Sequence, residues 1–194
     1  MNILITAFEP FGDIDTNCTQ MVLKEIENIA GVETLLLPVS SDKAFPLIER
    51  KLKETSYDFV ILLGQSAGRS FISLERVALN LYDFPIADNE GVVLKDTPIY
   101  CDEENAMFSD LPLREIEEAL GKTNLEVQVS NSAGTYICNE VFFEGLVYTK
   151  NSKTRLGFVH FPVVREQNCR KFTTKWSLSD LCLAMVKIIE VLPK

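Results

Sequence analysis

The chain has 194 residues, enough for one domain with a sizeable core, and its 46% hydrophobic and 24% charged residues are ordinary for a globular protein. With 28 acidic against 19 basic side chains the formal net charge is −9, which repels a phosphate backbone and argues against a nucleic-acid partner. No apolar run approaches the roughly 18 to 20 residues that span a bilayer, and "MNILITAFEPFG" has no basic stretch before its short apolar segment. Neither a membrane partner nor a signal peptide is therefore expected, and a cytoplasmic setting is.

"NILITAF" reads as a buried strand that runs into the turn-rich "EPFGD". Residues 16–29 follow with Met21, Val22, Ile26 and Ile29 at helical spacing, then "VETLLLPVS" as a second strand. "DKAFPLIERKLKE" is helical, with Pro46 tolerable only in its first turn. "DFVILLGQSAGRS" is a third strand leading into a Gly-containing loop. Residues 71–110 are less periodic and mix short strands with irregular chain, including a turn at "DNEGVV".

"LREIEEALG" predicts an amphipathic helix ending at Gly121, "LEVQVS" a strand, "CNEVFFEGLVYTK" a helix and "RLGFVHFPVV" an interior strand. The last helix, "SLSDLCLAMVKIIEVL", opens on a Ser177–Asp180 capping box and carries Leu178, Leu181, Cys182, Met185, Val186 and Ile189 on one face. Alternating strands and helices predict a three-layer α/β/α sandwich with a largely parallel, mixed central sheet, as a single domain over 1–194. Ligand sites in such sheets lie outside the carboxyl ends of the strands. That points to the loops "FEPFG", "GQSAGRS" and "SNSAG" and to the chain after "GFVHF".

Cys18, Cys101, Cys138, Cys169 and Cys182 are odd in number, scattered and without a CxxC pair, so neither a disulfide framework nor a zinc site is expected. Cys138 stands where the "SNSAG" loop turns into a helix. The positive end of the helix dipole and the orphan N–H groups there favour a thiolate. The plainer reading, a small side chain filling a first turn, stands beside it.

His160 is the one histidine, so a Cys–His pair must use it; a lone histidine in an apolar strand is otherwise a core or edge residue. Glu75, in the apolar run "SLERVALN", either pairs with Arg69 or Arg76 or orients the imidazole.

Taken in order, "FEPFG", "GQSAGRS", "SLERVALN", "DNEG", "SNSAGTYICN" and "FVHFP" resemble the pyroglutamyl peptidase I family (pyrrolidone carboxyl peptidases) from residue 3 to about 167. The resemblance implies a cytosolic cysteine peptidase that removes N-terminal pyroglutamate, with no metal or cofactor. It places the nucleophile, base and orienting acid on Cys138, His160 and Glu75. It also places the aromatic residues flanking the lactam ring on Phe8 and Phe11, with Asn17 and Gln65 near the pocket. Partners would be pyroglutamylated peptides, and a homo-oligomer, dimer or tetramer, is compatible with the chain.

Pyroglutamate has no free α-amine, so no acidic anchor is needed, and hydrogen bonds to the lactam would separate it from proline. The chain departs from the family at Pro85, where an arginine is usual near the active site and for which Arg69 is a candidate substitute. It also departs at Cys18, where proline commonly follows Asn17, and in a shorter segment after His160. Two other readings remain: an amidase or thioesterase of altered specificity using the same cysteine, and a non-enzymatic peptide-binding relative.

Overall fold

The computed structural model describes residues 1–12, 14–167 and 173–193. Its centre is a six-stranded sheet. In chain order the strands of that sheet are β1 (Ile3–Phe8), β2 (Val32–Leu37), β3 (Phe59–Gln65), β4 (Ile72–Glu75), β7 (Val127–Ser130) and β8 (Arg155–Phe161). Their spatial order is β2-β1-β3-β8-β4-β7. Every neighbouring pair is parallel except β4 against β8. β1 and β3 are buried along their whole length, which is why both read as unbroken apolar runs rather than alternating ones. Between β4 and β7 the chain makes a separate antiparallel pair, β5 (Val77–Leu79) with β6 (Ala106–Phe108).

Helices cover both faces, giving the three-layer arrangement expected from the alternation of strands and helices. α1 (Cys18–Ile26), α3 (Leu113–Gly121) and α5 (Leu178–Val191) share one apolar core with the sheet residues Ile5, Ile61 and Val159. α2 (Ala44–Glu54) and α4 (Ile137–Thr149) share the other with Leu4, Leu62 and Phe158. Pro46 falls in the first turn of α2, where its missing N–H removes no helical bond. No helix among the described residues is long and apolar enough to cross a membrane.

α3 ends at Gly121 as expected, and the next positive φ falls on Asn124. One local expectation needs correcting. α5 opens on the expected Ser177–Asp180 capping box; of its expected face Leu181 and Met185 are buried, beside Ala184 and Ile188, and Leu178, Cys182 and Ile189 pack against the same core. Val186 stays 37% exposed. Ser179, Lys187 and Glu190 lie on the same side as Val186, and the opposite side packs against α1 and α3.

Two features of this topology position the site. The carboxyl ends of the adjacent strands β1 and β3 open on one edge, flanked by the starts of α1 and α4 on opposite faces. β4 runs back against β8, so Ser73 lies opposite His160 and Glu75 opposite Phe158. Directly opposed residues share a face, which puts Glu75 on the α4 side with Phe158 and His160.

Candidate active site

α4 begins at Ile137, with Tyr136 as its N-cap in extended conformation and no side chain capping the first turn. Cys138 is thus the second helical residue, among N–H groups that the helix itself leaves free. Its sulfur lies over the backbone of Gly64 on β3: a Cβ at position 64 would sit 2.9 Å from Cys138 Sγ and 2.7 Å from Phe158 Cζ. Gly64 is the ladder partner of His160 on β8. Glycine at 64 is what lets the sulfur settle onto the sheet beside the histidine's strand.

The helix start does not by itself set the pKa of this thiol. Burial, and then the negative charge of Glu75, push it up to about 12, against smaller opposing effects of Arg69 and the Cys138 N–H. Burial thus opposes the helix dipole that favours a thiolate, an effect of about 0.3–1 kcal/mol in ordinary settings.

His160 is 5% exposed, stacked near Phe158 with ring centroids 4.7 Å apart. Its Nδ1 meets Oε1 of the fully buried Glu75 at 2.8 Å, joining residues 85 positions apart. A carboxylate can only accept, so this contact puts a proton on Nδ1 and leaves Nε2 as the basic nitrogen. The same Oε1 also accepts from Arg69 Nη1, while Arg69 Nη2 donates 2.8 Å to the Ser132 carbonyl in the "SNSAG" loop. Arg76 turns away to Asn131. The alternatives for Glu75 thus resolve into both at once: ion-paired to Arg69 and bonded to the imidazole.

A narrow pocket past the strand ends is lined by Phe8, Phe11, Asn17, Val39, Gln65, Tyr136, Ile137 and Cys138. All four residues proposed for substrate from the motifs therefore meet the cysteine. Asn17 is the N-cap of α1; its Oδ1 accepts from Thr19 N at 3.0 Å and its Nδ2 donates to Glu9 C=O at 3.2 Å, tying the "FEPFG" loop to the helix. Gln65 Oε1 accepts from Cys18 N–H at 2.8 Å and from Gln167 Nε2 at 2.7 Å. Larger, more open depressions lie elsewhere, about 550 Å³ beside Met1, Asp58 and Arg155 and about 510 Å³ beside Gly68, Arg69 and Trp176. Neither is lined by Cys138, whereas the narrow pocket is.

Several participants escape a reading of the sequence. Tyr136 walls the pocket, 6.3 Å from Phe11 and 4.9 Å from Phe84 between ring centroids, with its hydroxyl donating to Ala87 C=O. Buried Asn139 grips the Leu79 main chain with both amide ends at 2.8 Å, anchoring β5 to α4 beside the cysteine. Gln167 is joined to Gln65 over 102 positions, which no local pattern signals. Pro85 is exposed and does not line the pocket. Cys18 is fully buried, Cys101 exposed and Cys182 partly buried, all as free thiols; Cys169 lies outside the described residues. Among the described residues no group of three or more His, Cys, Asp or Glu side chains is placed to hold a metal.

A profile of the pyroglutamyl peptidase family matches residues 1–192. The chain is 42% identical to pyrrolidone-carboxylate peptidase 1 of Caldanaerobacter subterraneus, an alignment covering 100% of this chain and 98% of that protein. It is 35% identical to the pyrrolidone-carboxylate peptidase of Fusobacterium nucleatum over 98% and 92% of the two chains. Among solved structures, the pyrrolidone carboxyl peptidase of Fervidobacterium islandicum superposes with a TM-score of 0.93 at 32% identity, covering 98% and 97%. That of Thermococcus litoralis gives 0.91 at 33% identity, covering 98% and 92%.

Proposed function

The chain belongs to the pyroglutamyl peptidase family, and from that membership we propose that it removes N-terminal pyroglutamate from peptides with Cys138 as nucleophile, His160 as general base and acid, and Glu75 as the acid that orients the imidazole. The observation that carries this assignment is the 2.8 Å bond from His160 Nδ1 to buried Glu75, on the face where the Cys138 sulfur rests against Gly64. The whole chain, 1–194, acts as one catalytic domain in this reading, and free thiols suit a cytoplasmic setting.

The raised thiol pKa shapes the mechanism. Cys138 gives its proton to His160 Nε2, and the charge separates as a thiolate–imidazolium pair rather than as an isolated anion. Glu75 sits behind the imidazolium, and Arg69 holds the carboxylate in place. Sγ then bonds to the pyroglutamyl carbonyl carbon, and the developing oxyanion is met by the uncapped N–H groups at the start of α4. Ser66 N–H is already engaged by the Phe161 carbonyl, so a donor from the "GQSAG" loop has to be that of Ala67 or Gly68.

The C–N bond breaks as His160 protonates the leaving amine. Water, deprotonated by His160, then resolves the thioester to free pyroglutamate and restores the thiol. The aromatic walls Phe8, Phe11 and Tyr136 suit a flat neutral ring, and among the described residues no acidic side chain lines the pocket to hold an ammonium group.

The test is turnover of a pyroglutamyl chromogenic amide beside prolyl and alanyl analogues, with Cys138→Ala as control. Turnover confined to the pyroglutamyl compound and lost in Cys138→Ala is expected. No turnover by the wild-type protein sinks the activity, equal turnover of the prolyl amide replaces it with a broader amidase, and full activity in Cys138→Ala removes the nucleophile.

A further inference from the structure

Gln65 lies on the pocket wall at the end of β3, and the direction in which its carboxamide points decides what the wall can recognise. An amide offers an acceptor at one end and two donors at the other, so turning it over inverts the chemistry of the site. Gln65 is not free to turn. Its Oε1 faces the main-chain N–H of Cys18 at 2.8 Å, and a backbone N–H can only donate. The second partner, Gln167 Nε2 at 2.7 Å, is itself settled: Gln167 Oε1 accepts from Val164 N–H at 3.0 Å, and its Nε2 also donates 2.8 Å to the Thr16 carbonyl. Main-chain groups of one possible polarity therefore dictate each amide in turn.

We infer that Cys18 N–H and Gln167 form a polarity clamp on Gln65 that turns its amide N–H donors toward the pocket, so that the bound ring must present an acceptor at that wall. This deepens the proposed function and rests on it: the acceptor is the lactam carbonyl of pyroglutamate, which a proline ring lacks. Cys18 acts through its backbone rather than its thiol. A proline at the first position of α1 would supply no N–H, so this hand of the clamp needs a non-proline residue there. Cys18 and Gln167 are positioning residues, since neither lines the pocket itself.

Kinetics on the pyroglutamyl amide test the clamp with three variants. Cys18→Pro keeps a good first helical residue of similar volume and deletes only the N–H; Gln167→Met deletes the other donor. Each is expected to raise KM about threefold to tenfold with kcat within about twofold, the range of one net hydrogen bond. Cys18→Ala, which restores the N–H, brings KM back. Gln65→Glu still accepts from Cys18 but sets an oxygen against the lactam carbonyl, and should lower kcat/KM by about 100-fold or more.

Folded Cys18→Pro and Gln167→Met proteins with KM changed less than 1.5-fold overturn the clamp, as does a Gln65→Glu protein of near wild-type kcat/KM. If Cys18→Pro fails to fold, Gln167→Met and Gln65→Glu decide the matter. Wild-type turnover is read first and judges the activity; the ratios between variants judge the clamp, so the two failures are told apart.

Discussion

Two helix starts meet at the pocket, and each carries a cysteine in its first turn. At α1, Asn17 caps the helix with its side chain and Cys18 is fully buried in the core behind the sheet. At α4, Tyr136 leaves the first turn uncapped, and Cys138 lines the pocket. The dipole is the same at both, yet burial raises both thiols above the ordinary range. A helix N-terminus therefore does not make a nucleophile. In the proposed mechanism Cys138 is set apart by the hydrogen-bonded His160–Glu75–Arg69 chain and by the N–H groups left without a cap. Glu140, in the first turn of α4, repeats the lesson: the dipole favours its carboxylate, but burial and then Glu144, Asp88 and Asp42 push its pKa up to about 9.

The sharpest way to break the comparison is to delete each sulfur. Cys138→Ala should lower kcat/KM by on the order of 10⁴-fold or more. Cys18→Ala should instead show in a thermal melt, costing about 1–2 kcal/mol of packing. Comparable activity losses at both positions would mean that the partners of Cys138 do not matter. Next in size, Glu75→Gln should cut kcat by about 10²- to 10⁴-fold, because an amide no longer enforces a proton on Nδ1. A fall of less than tenfold would reduce Glu75 to a partner of Arg69.

Gly64→Ala introduces a methyl 2.9 Å from Cys138 Sγ. A sulfur displaced by about 1 Å should cost about 10²-fold in kcat, with about 1–3 kcal/mol of stability lost to overpacking; wild-type kinetics would show that the sulfur works from another position.

Stability against pH tests the burial of Glu140 in the first turn of α4. Glu140, with no hydrogen-bond partner among the described residues, faces Tyr82, Glu144, Asp88 and Asp42 but no cation. Its folded pKa of about 9 lies above the ordinary 4.5, so between these values only the folded state holds the proton. Stability is then complete below about pH 4.5 and declines as pH rises toward 9, with Glu144, at about 7, adding to the decline over the lower part of that window. Glu140→Gln should remove about 1–3 kcal/mol of the loss seen by denaturant unfolding between pH 6 and 8.5. An unchanged pH slope would mean Glu140 is ionised and paired in solution.

The smallest effect is expected at the α1 cap, where Asn17→Ala should cost about 1 kcal/mol in the same assay. A loss several times larger would show that tying down the "FEPFG" loop outweighs capping.

Much of this architecture is legible in the chain. Continuous apolar runs mark β1 and β3, and 3.6-residue periodicity marks α1 and α3. The family motifs single out Cys138, and the one histidine leaves no other candidate for its base. Helix α5 shows the limit: its pattern predicts Val186 on the buried face, but at the border of that face, next to Lys187, an apolar side chain can stay exposed.

By itself, then, the sequence determined the elements, their order and the family, because periodicity and motif are properties of neighbouring residues. Tertiary structure alone decided that β4 runs antiparallel to β8, bringing Glu75 to His160 from 85 positions away. It decided equally that Gln167 reaches Gln65 and that burial overrides the helix dipole at Cys138. Strand direction, long-range hydrogen bonds and desolvation depend on what the rest of the chain places around a residue, and no local pattern carries that information.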